Sequence, residues 1–110
     1  MYTIKKKFEI AASHSLQLSY ESPCQNLHGH NWNITVYCKR DQLDENGMVI
    51  DFNVLKDMVH KQLDHKNLNE VLPFNPTAEN IAKWIVDMVP FCYKAEVEES
   101  SNNTATYEEV

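Results

Sequence analysis

Cys24 stands four residues ahead of a His-Gly-His step, His28-Gly29-His30, and these are residue types that hold metal ions and move protons. Beyond them Trp32, Ile34, Val36 and Cys38 alternate with Asn31, Asn33, Thr35, Tyr37 and Lys39. Strict period-two alternation predicts a half-buried β-strand. Counting back with the same parity puts His28 and His30 on the apolar face with Trp32 and Ile34. Two imidazoles two residues apart on one strand face can both reach one metal ion, and Gly29 leaves room between them. Zinc takes neutral imidazole nitrogens at about 2.0–2.1 Å. Cys24 can then be a fourth ligand or a reactive thiol beside the metal.

A third ligand is available near the N-terminus. Ile4, Phe8, Ile10, Ala12 and His14 share one parity, broken only by Lys6, so an extended segment points His14 to the side that carries Phe8 and Ile10. Three histidines from two strands give the open coordination of a catalytic zinc, with a position left for water or substrate. The competing reading is that each is an ordinary core or surface histidine. A structural zinc finger is disfavoured, because no second Cys or His pair stands at finger spacing.

The elements that position these residues follow from periodicity. Asp44-Glu45-Asn46-Gly47 is a turn signal between strands, and Met48-Val49-Ile50 opens the next strand. From Phe52 the period becomes helical, with Phe52, Leu55, Met58, Val59 and Leu63 on one face and Lys56, Asp57 and Lys61 opposite. That helix ends near Asp64-His65. Asn67, Asn69, Pro73 and Pro76 make a loop, Thr77 is an N-cap for a second helix, and Ile81, Ile85, Met88 and Val89 line its buried side. Pro90 stops it. Tyr93, Ala95, Val97 and Glu99 alternate as a further strand, Asn102-Asn103 turns, and Thr104 to Val110 closes the chain. The expected order is strand, strand, strand, helix, helix, strand, strand, an α+β domain over residues 1–110 without linkers or repeats.

Two further polar features stand out. Asp64 precedes His65, and adjacent residues do not face one another on a helix, so their pairing requires the helix to break there. An Asp oriented on a His fixes its tautomer and raises its basicity, which suits proton transfer; the alternative is a polar helix end favouring the dipole. Glu99 shares the parity of Ala95 and Val97 and should point inward, where a carboxylate needs a partner such as the amidine-like edge of a ligand. Glu98 points the other way and reads as surface; the alternative for Glu99 is that the strand has already ended and the carboxylate is solvated.

Composition bounds the remaining possibilities. With 110 residues and 43% hydrophobic content the chain can bury one modest core. No apolar run approaches the ~20 residues that span a bilayer, and Met1-Tyr2-Thr3-Ile4-Lys5-Lys6-Lys7 lacks a signal-peptide stretch, so no membrane partner is expected. Three cysteines argue against a disulfide framework and for a reducing compartment, with cytoplasm the expectation. A net charge of −6 argues against a nucleic-acid partner; Lys5-Lys6-Lys7 and Lys39-Arg40 read as solvated surface or local phosphate-holding clusters.

Together, Phe8–His14, Cys24-xxx-His28-Gly29-His30-Asn31, Gly47-Met48-Val49-Ile50-Asp51-Phe52, Leu63-Asp64-His65-xx-Leu68-Asn69, Pro76-Thr77-Ala78-Glu79-Asn80 and Glu99-Ser100 resemble, in type and order, the 6-pyruvoyl-tetrahydropterin synthase superfamily. The resemblance runs from about Ile4 to Tyr107. The three residues between Cys24 and His28 resemble the bacterial 6-carboxytetrahydropterin synthase branch more than the pyruvoyl-forming branch. The resemblance implies the tunnelling fold: an antiparallel four-stranded sheet with two helices on one face. In the family three subunits join their sheets into a twelve-stranded barrel, two trimers stack into a hexamer, and active sites lie between subunits. Barrel closure removes exposed sheet edges.

The resemblance also implies a reaction, conversion of 7,8-dihydroneopterin triphosphate to 6-carboxy-5,6,7,8-tetrahydropterin with release of acetaldehyde and triphosphate, an early step toward the queuosine base of tRNA. Zinc on His14, His28 and His30 would act as Lewis acid and template. Cys24 as thiolate would take a proton from the substrate side chain, Asp64 and His65 would relay protons on the other face, and Glu99 would accept from the pterin's ring N–H and amino group. Parity and the following Ser100 place the anchor at Glu99 rather than Glu98. Three alternatives stay open: a related pterin enzyme forming 6-pyruvoyl-tetrahydropterin or a folate precursor, a non-catalytic zinc domain serving assembly, and Cys24 as a carbonyl-attacking nucleophile.

Overall fold

The computed structural model describes residues 1–110. Its frame is a long hairpin of β1 (Tyr2–His14) and β2 (His28–Arg40), paired antiparallel without interruption from Tyr2↔Arg40 to His14↔His28. The alternation read in the sequence is realised as burial: Phe8, Ile10, Ala12 and His14 on β1 and Trp32, Ile34, Val36 and Cys38 on β2 all face the core.

After β2 the chain turns at Asp44, whose carboxylate accepts from the amides of Asn46 and Met48 at 2.9 and 3.0 Å, and at Gly47, held at φ 79°. Met48-Val49-Ile50, expected to open a third strand, forms none. Val49 is instead a single buried plug whose carbonyl accepts from the Arg40 guanidinium at 3.3 Å. The reason lies one residue on, where Asp51 commits the chain to a helix by accepting from the amides of Asn53 and Val54 at 2.7 and 3.4 Å.

Helix α1 (Phe52–Leu63) buries Leu55, Val59 and Leu63, while Phe52, expected on the same face, is 50% exposed in the first turn. The stretch read as a plain loop contains two short elements. β3 (Lys66–Asn67) pairs parallel with Ala12 and Ser13 of β1, and α2 (Leu68–Val71) is a single turn capped by the Asn67 side chain, which accepts from Asn69 N at 3.1 Å. Helix α3 (Ala78–Met88) starts at the Thr77 cap, whose hydroxyl accepts from Asn80 N at 3.1 Å, and buries Ala78, Ile81, Ala82, Ile85 and Val86. It stops before Pro90, which can neither donate nor continue it.

β4 (Cys92–Ser100) and β5 (Asn103–Glu108) complete a sheet of order β3-β1-β2-β4-β5. Four of its strands are antiparallel, as expected; the two-residue β3 is the addition. The parity read for β4 fails at its start. A register shift at Tyr37/Cys38 brings Cys92 inward opposite Cys38, and Tyr93 instead lies beside Tyr37, ring centroids 6.3 Å apart. From Ala95 onward the expected parity holds.

One core of 22 residues lies between the sheet and the helices, which pack on one face. The other face is polar and carries a concavity of ≈ 230 Å³ lined by Lys5, Lys7, Asn33, Thr35, Tyr37, Glu96, Glu98 and Thr104. There the Tyr37 hydroxyl donates to Glu96, which pushes its pKa up to about 12. No helix is long and apolar enough to cross a membrane.

Candidate metal centre and active site

His14 ends β1 and His28 begins β2, directly opposite in the register, and His30 follows across from Ala12. Because the three share the inner face, their rings meet edge to face, with centroids 4.6 Å (His14–His28), 5.2 Å (His14–His30) and 4.8 Å (His28–His30) apart. One ligand atom from each lies within 4.8 Å of the other two. Trp32 forms the floor, its indole N–H donating to the Ala12 carbonyl at 3.1 Å and its ring 4.8 Å from His14 and 5.3 Å from His30.

Backbone carbonyls set two of the imidazole tautomers. His14 Nδ1 lies 2.8 Å from the Pro76 carbonyl and His28 Nδ1 lies 2.7 Å from the Asn26 carbonyl. A carbonyl oxygen only accepts, so both Nδ1 atoms carry a proton; in the neutral ring that leaves the Nε2 lone pair as the one for a metal, the usual arrangement behind a metal-ligating histidine. Burial lowers the pKa of the fully buried His14, against the opposing pull of the Pro76 carbonyl and Glu99, and so favours the neutral ring a metal requires. The Nε2 atoms of His14 and His30 are buried without a hydrogen-bond partner. Such orphaned nitrogens are costly in a core, and a divalent cation on the three Nε2 lone pairs would satisfy them: the donor set fits zinc.

Glu99 reaches this centre from β4. Its Oε1 lies 3.4 Å from His30 Nε2 and its Oε2 3.9 Å from His14 Nε2, with the side chain 24% exposed. Glu98 points to the opposite face, where it accepts from the Asn33 carboxamide at 2.9 Å. Strand parity thus separates the two glutamates as the sequence pattern requires.

Cys24 lies in the 3₁₀ turn Pro23–Gln25, closed by a reciprocal Ser22/Gln25 capping box. It is a free, half-buried thiol outside the three-histidine group. Gly29 does not make room between the histidines: a Cβ there would meet only the Ala12 carbonyl, at an ordinary 3.9 Å.

The Asp64–His65 pair does break the helix. α1 ends at Leu63, His65 takes φ 58°, and its Nε2 lies 3.3 Å from Asp64 Oδ2. Asp64 is fixed to the sheet edge by the Ala11 N–H at 2.9 Å, a bond that holds its carboxyl below the ordinary range, helped by His60 and His65. The His65 side chain is 82% exposed. One member of each constellation, His30 and His65, borders a concavity of ≈ 490 Å³, with Asn31 beside the first and Lys66 and Asn67 beside the second. An apolar groove of ≈ 370 Å³ lies at the other end of β1, beside Tyr2, Ile4, Met48 and Phe52; its one carboxylate, Asp51, is engaged as the α1 cap.

Sequence reasoning missed several groups. His60, one turn before Asp64, places Nε2 3.4 Å from the same carboxylate oxygen; its i,i+4 spacing was a visible signal. The Pro76 carbonyl behind His14 carries no side-chain signal at all. Asn69 and Asn75 grip the chain just beyond His14.

The sequence matches the family described as 6-pyruvoyl tetrahydropterin synthase over residues 3–110. The chain belongs to that family. A Synechocystis 6-carboxy-5,6,7,8-tetrahydropterin synthase is 39% identical over 97% of this chain and 93% of its own length. A Bacillus subtilis protein of the same name is 29% identical over 96% of this chain and 84% of its own. Among solved structures, a Caenorhabditis elegans 6-pyruvoyl tetrahydropterin synthase superposes with a TM-score of 0.77 at 27% identity, covering 99% of this chain and 96% of that one. Family and relatives together make this a pterin-processing lyase on the α+β fold described above.

Proposed function

We propose that this chain, with zinc held by His14, His28 and His30, converts 7,8-dihydroneopterin triphosphate to 6-carboxy-5,6,7,8-tetrahydropterin, releasing acetaldehyde and triphosphate on the way to queuosine. The observation that carries the reading is the convergence of three imidazoles, two with orphaned Nε2 atoms, facing a carboxylate from a third strand. The names of the bacterial relatives support the choice of product.

Bound there, zinc would supply Lewis acidity that lowers the pKa of substrate hydroxyls. Glu99 accepts two donors side by side from the pterin's amino-pyrimidine edge and so fixes the ring in register with the histidines. Cys24, as thiolate, takes a proton from the substrate side chain. Asp64 orients His65, and the exposed imidazole exchanges protons with substrate and solvent on the other side of the shared concavity.

Assembly belongs to the same reading. β1 has a free outer edge from Tyr2 to Ile10, and β5 pairs only with β4. Joining the free edges of three copies closes a twelve-stranded barrel with the polar sheet face as its lumen, and two such trimers make a hexamer. The odd cysteine count and three free thiols support a cytoplasmic setting.

Formation of 6-pyruvoyl-tetrahydropterin is the second reading, favoured by the name of the worm structure. Incubating the purified protein with 7,8-dihydroneopterin triphosphate and weighing the pterin product separates the two. The carboxy product with acetaldehyde is expected; a pyruvoyl product, or no turnover in zinc-loaded protein, overturns the assignment.

A further inference from the structure

Two asparagine side chains grip the segment that leaves β1 after His14. Asn69 accepts from Ser15 N–H at 2.7 Å and donates to the Ser15 carbonyl at 2.8 Å. Asn75 repeats the pattern on Gln17, accepting at 2.9 Å and donating at 3.0 Å. Each carboxamide supplies one donor and one acceptor, as a neighbouring strand would, to alternate residues of a segment that has already left the sheet. Between them, Leu16 N–H donates to the Cys24 carbonyl at 2.8 Å.

The grip is itself anchored. The Asn75 carbonyl accepts from Thr77 N–H at 2.8 Å and from the Asn80 side chain at 3.0 Å, and the next carbonyl, Pro76, takes His14 Nδ1. Helix α2, through Asn69, and the loop between α2 and α3, through Asn75 and Pro76, therefore hold His14, Ser15 and Gln17 together. The Cys24 turn hangs on the same segment, through Leu16 and through a 3.4 Å bond from the Gln25 side chain to the Leu18 carbonyl.

We propose that Asn69 and Asn75 are positioning residues: their paired amide bonds hold the Cys24 turn at a set distance from the three-histidine centre. The inference rests on the proposed role of Cys24 as proton acceptor beside that centre. The two residues act through the backbone of Ser15 and Gln17.

The test uses full-length, zinc-loaded protein carrying Asn69→Ala, Asn75→Ala or both. A displacement of about 1 Å at a reacting group costs on the order of a hundredfold, so kcat should fall roughly ten- to a hundredfold while KM stays within about twofold and zinc stays at one per chain. Asn75→Asp, which keeps the acceptor and loses the donor, should recover part of the loss. Alkylation by iodoacetamide, followed by peptide mass, gives a readout independent of turnover. Cys24 should label faster in the variants as its turn is released, with Cys38 and Cys92, buried within the sheet, as slow as in wild type. Unchanged kcat and unchanged Cys24 labelling overturn the proposal. So does faster labelling of all three thiols, which reports general loosening. If wild type leaves 7,8-dihydroneopterin triphosphate untouched, the proposed activity fails, and the labelling arm still decides the clamp.

Discussion

Glu98 and Glu99 are neighbours in sequence and sit on opposite faces of β4, which makes them a test of what one side chain does. Charge-assisted hydrogen bonds contribute about 1.5–3 kcal/mol each, so Glu99→Ala should weaken binding of an unreactive pterin about tenfold to several hundredfold. Glu98→Ala, which loses only the Asn33 contact on the far face, should change it little. Titration by calorimetry compares them, and a damaging Glu98→Ala would move the anchor to the other face. Asp64 gives a second test, through pH. Its folded-state pKa is lowered, first by the Ala11 N–H, so its contribution to stability is present above the ordinary Asp value of about 3.9 and is lost as pH falls through the folded value. The stability gap between wild type and Asp64→Asn should therefore close below about pH 4 in denaturant titrations. A gap that keeps widening below that pH contradicts the assignment.

Elements were legible wherever periodicity was long enough to speak. The β1–β2 hairpin and both long helices carry several residues of repeating pattern, and Asp51 and Thr77 mark the helix starts. Removing the cap with Asp51→Ala should cost about 1 kcal/mol in chemical denaturation; no loss would mean that packing of Leu55 and Val59 alone sets the start of α1. Short elements were not legible. Met48-Val49-Ile50 has strand-forming residues, but the Asp51 cap turns the chain into a helix directly after them, and β3 and α2 are held by tertiary contacts with β1 and by the Asn67 cap rather than by any periodic signal. The bulge at Tyr93 follows from the pairing with β2, which sequence alternation on β4 alone cannot register. At the site the same division holds. The histidines were legible from shared parity, and Glu99 from its phase with Val97. The carbonyl of Pro76 and the carboxamides of Asn69 and Asn75 come from α2 and the loop after it, more than fifty residues away, and were not.

On the scale of the whole molecule the chain is elongated, with a radius of gyration of 14.7 Å and extents of 51 × 28 × 26 Å. A compact chain of this length has a radius of about 13 Å; the excess reflects the long hairpin with its free β1 edge. Sedimentation equilibrium should return a mass that is a multiple of three chains, and a monomer at micromolar concentration would leave the barrel without support. The proposed chemistry depends above all on three imidazoles brought together from two strands to hold one metal. Zinc counted per chain by elemental analysis is the most direct measurement of that claim. Wild type and Cys24→Ala are predicted to hold one zinc per chain and His28→Ala to lose nearly all of it, whereas full occupancy in His28→Ala would contradict the site.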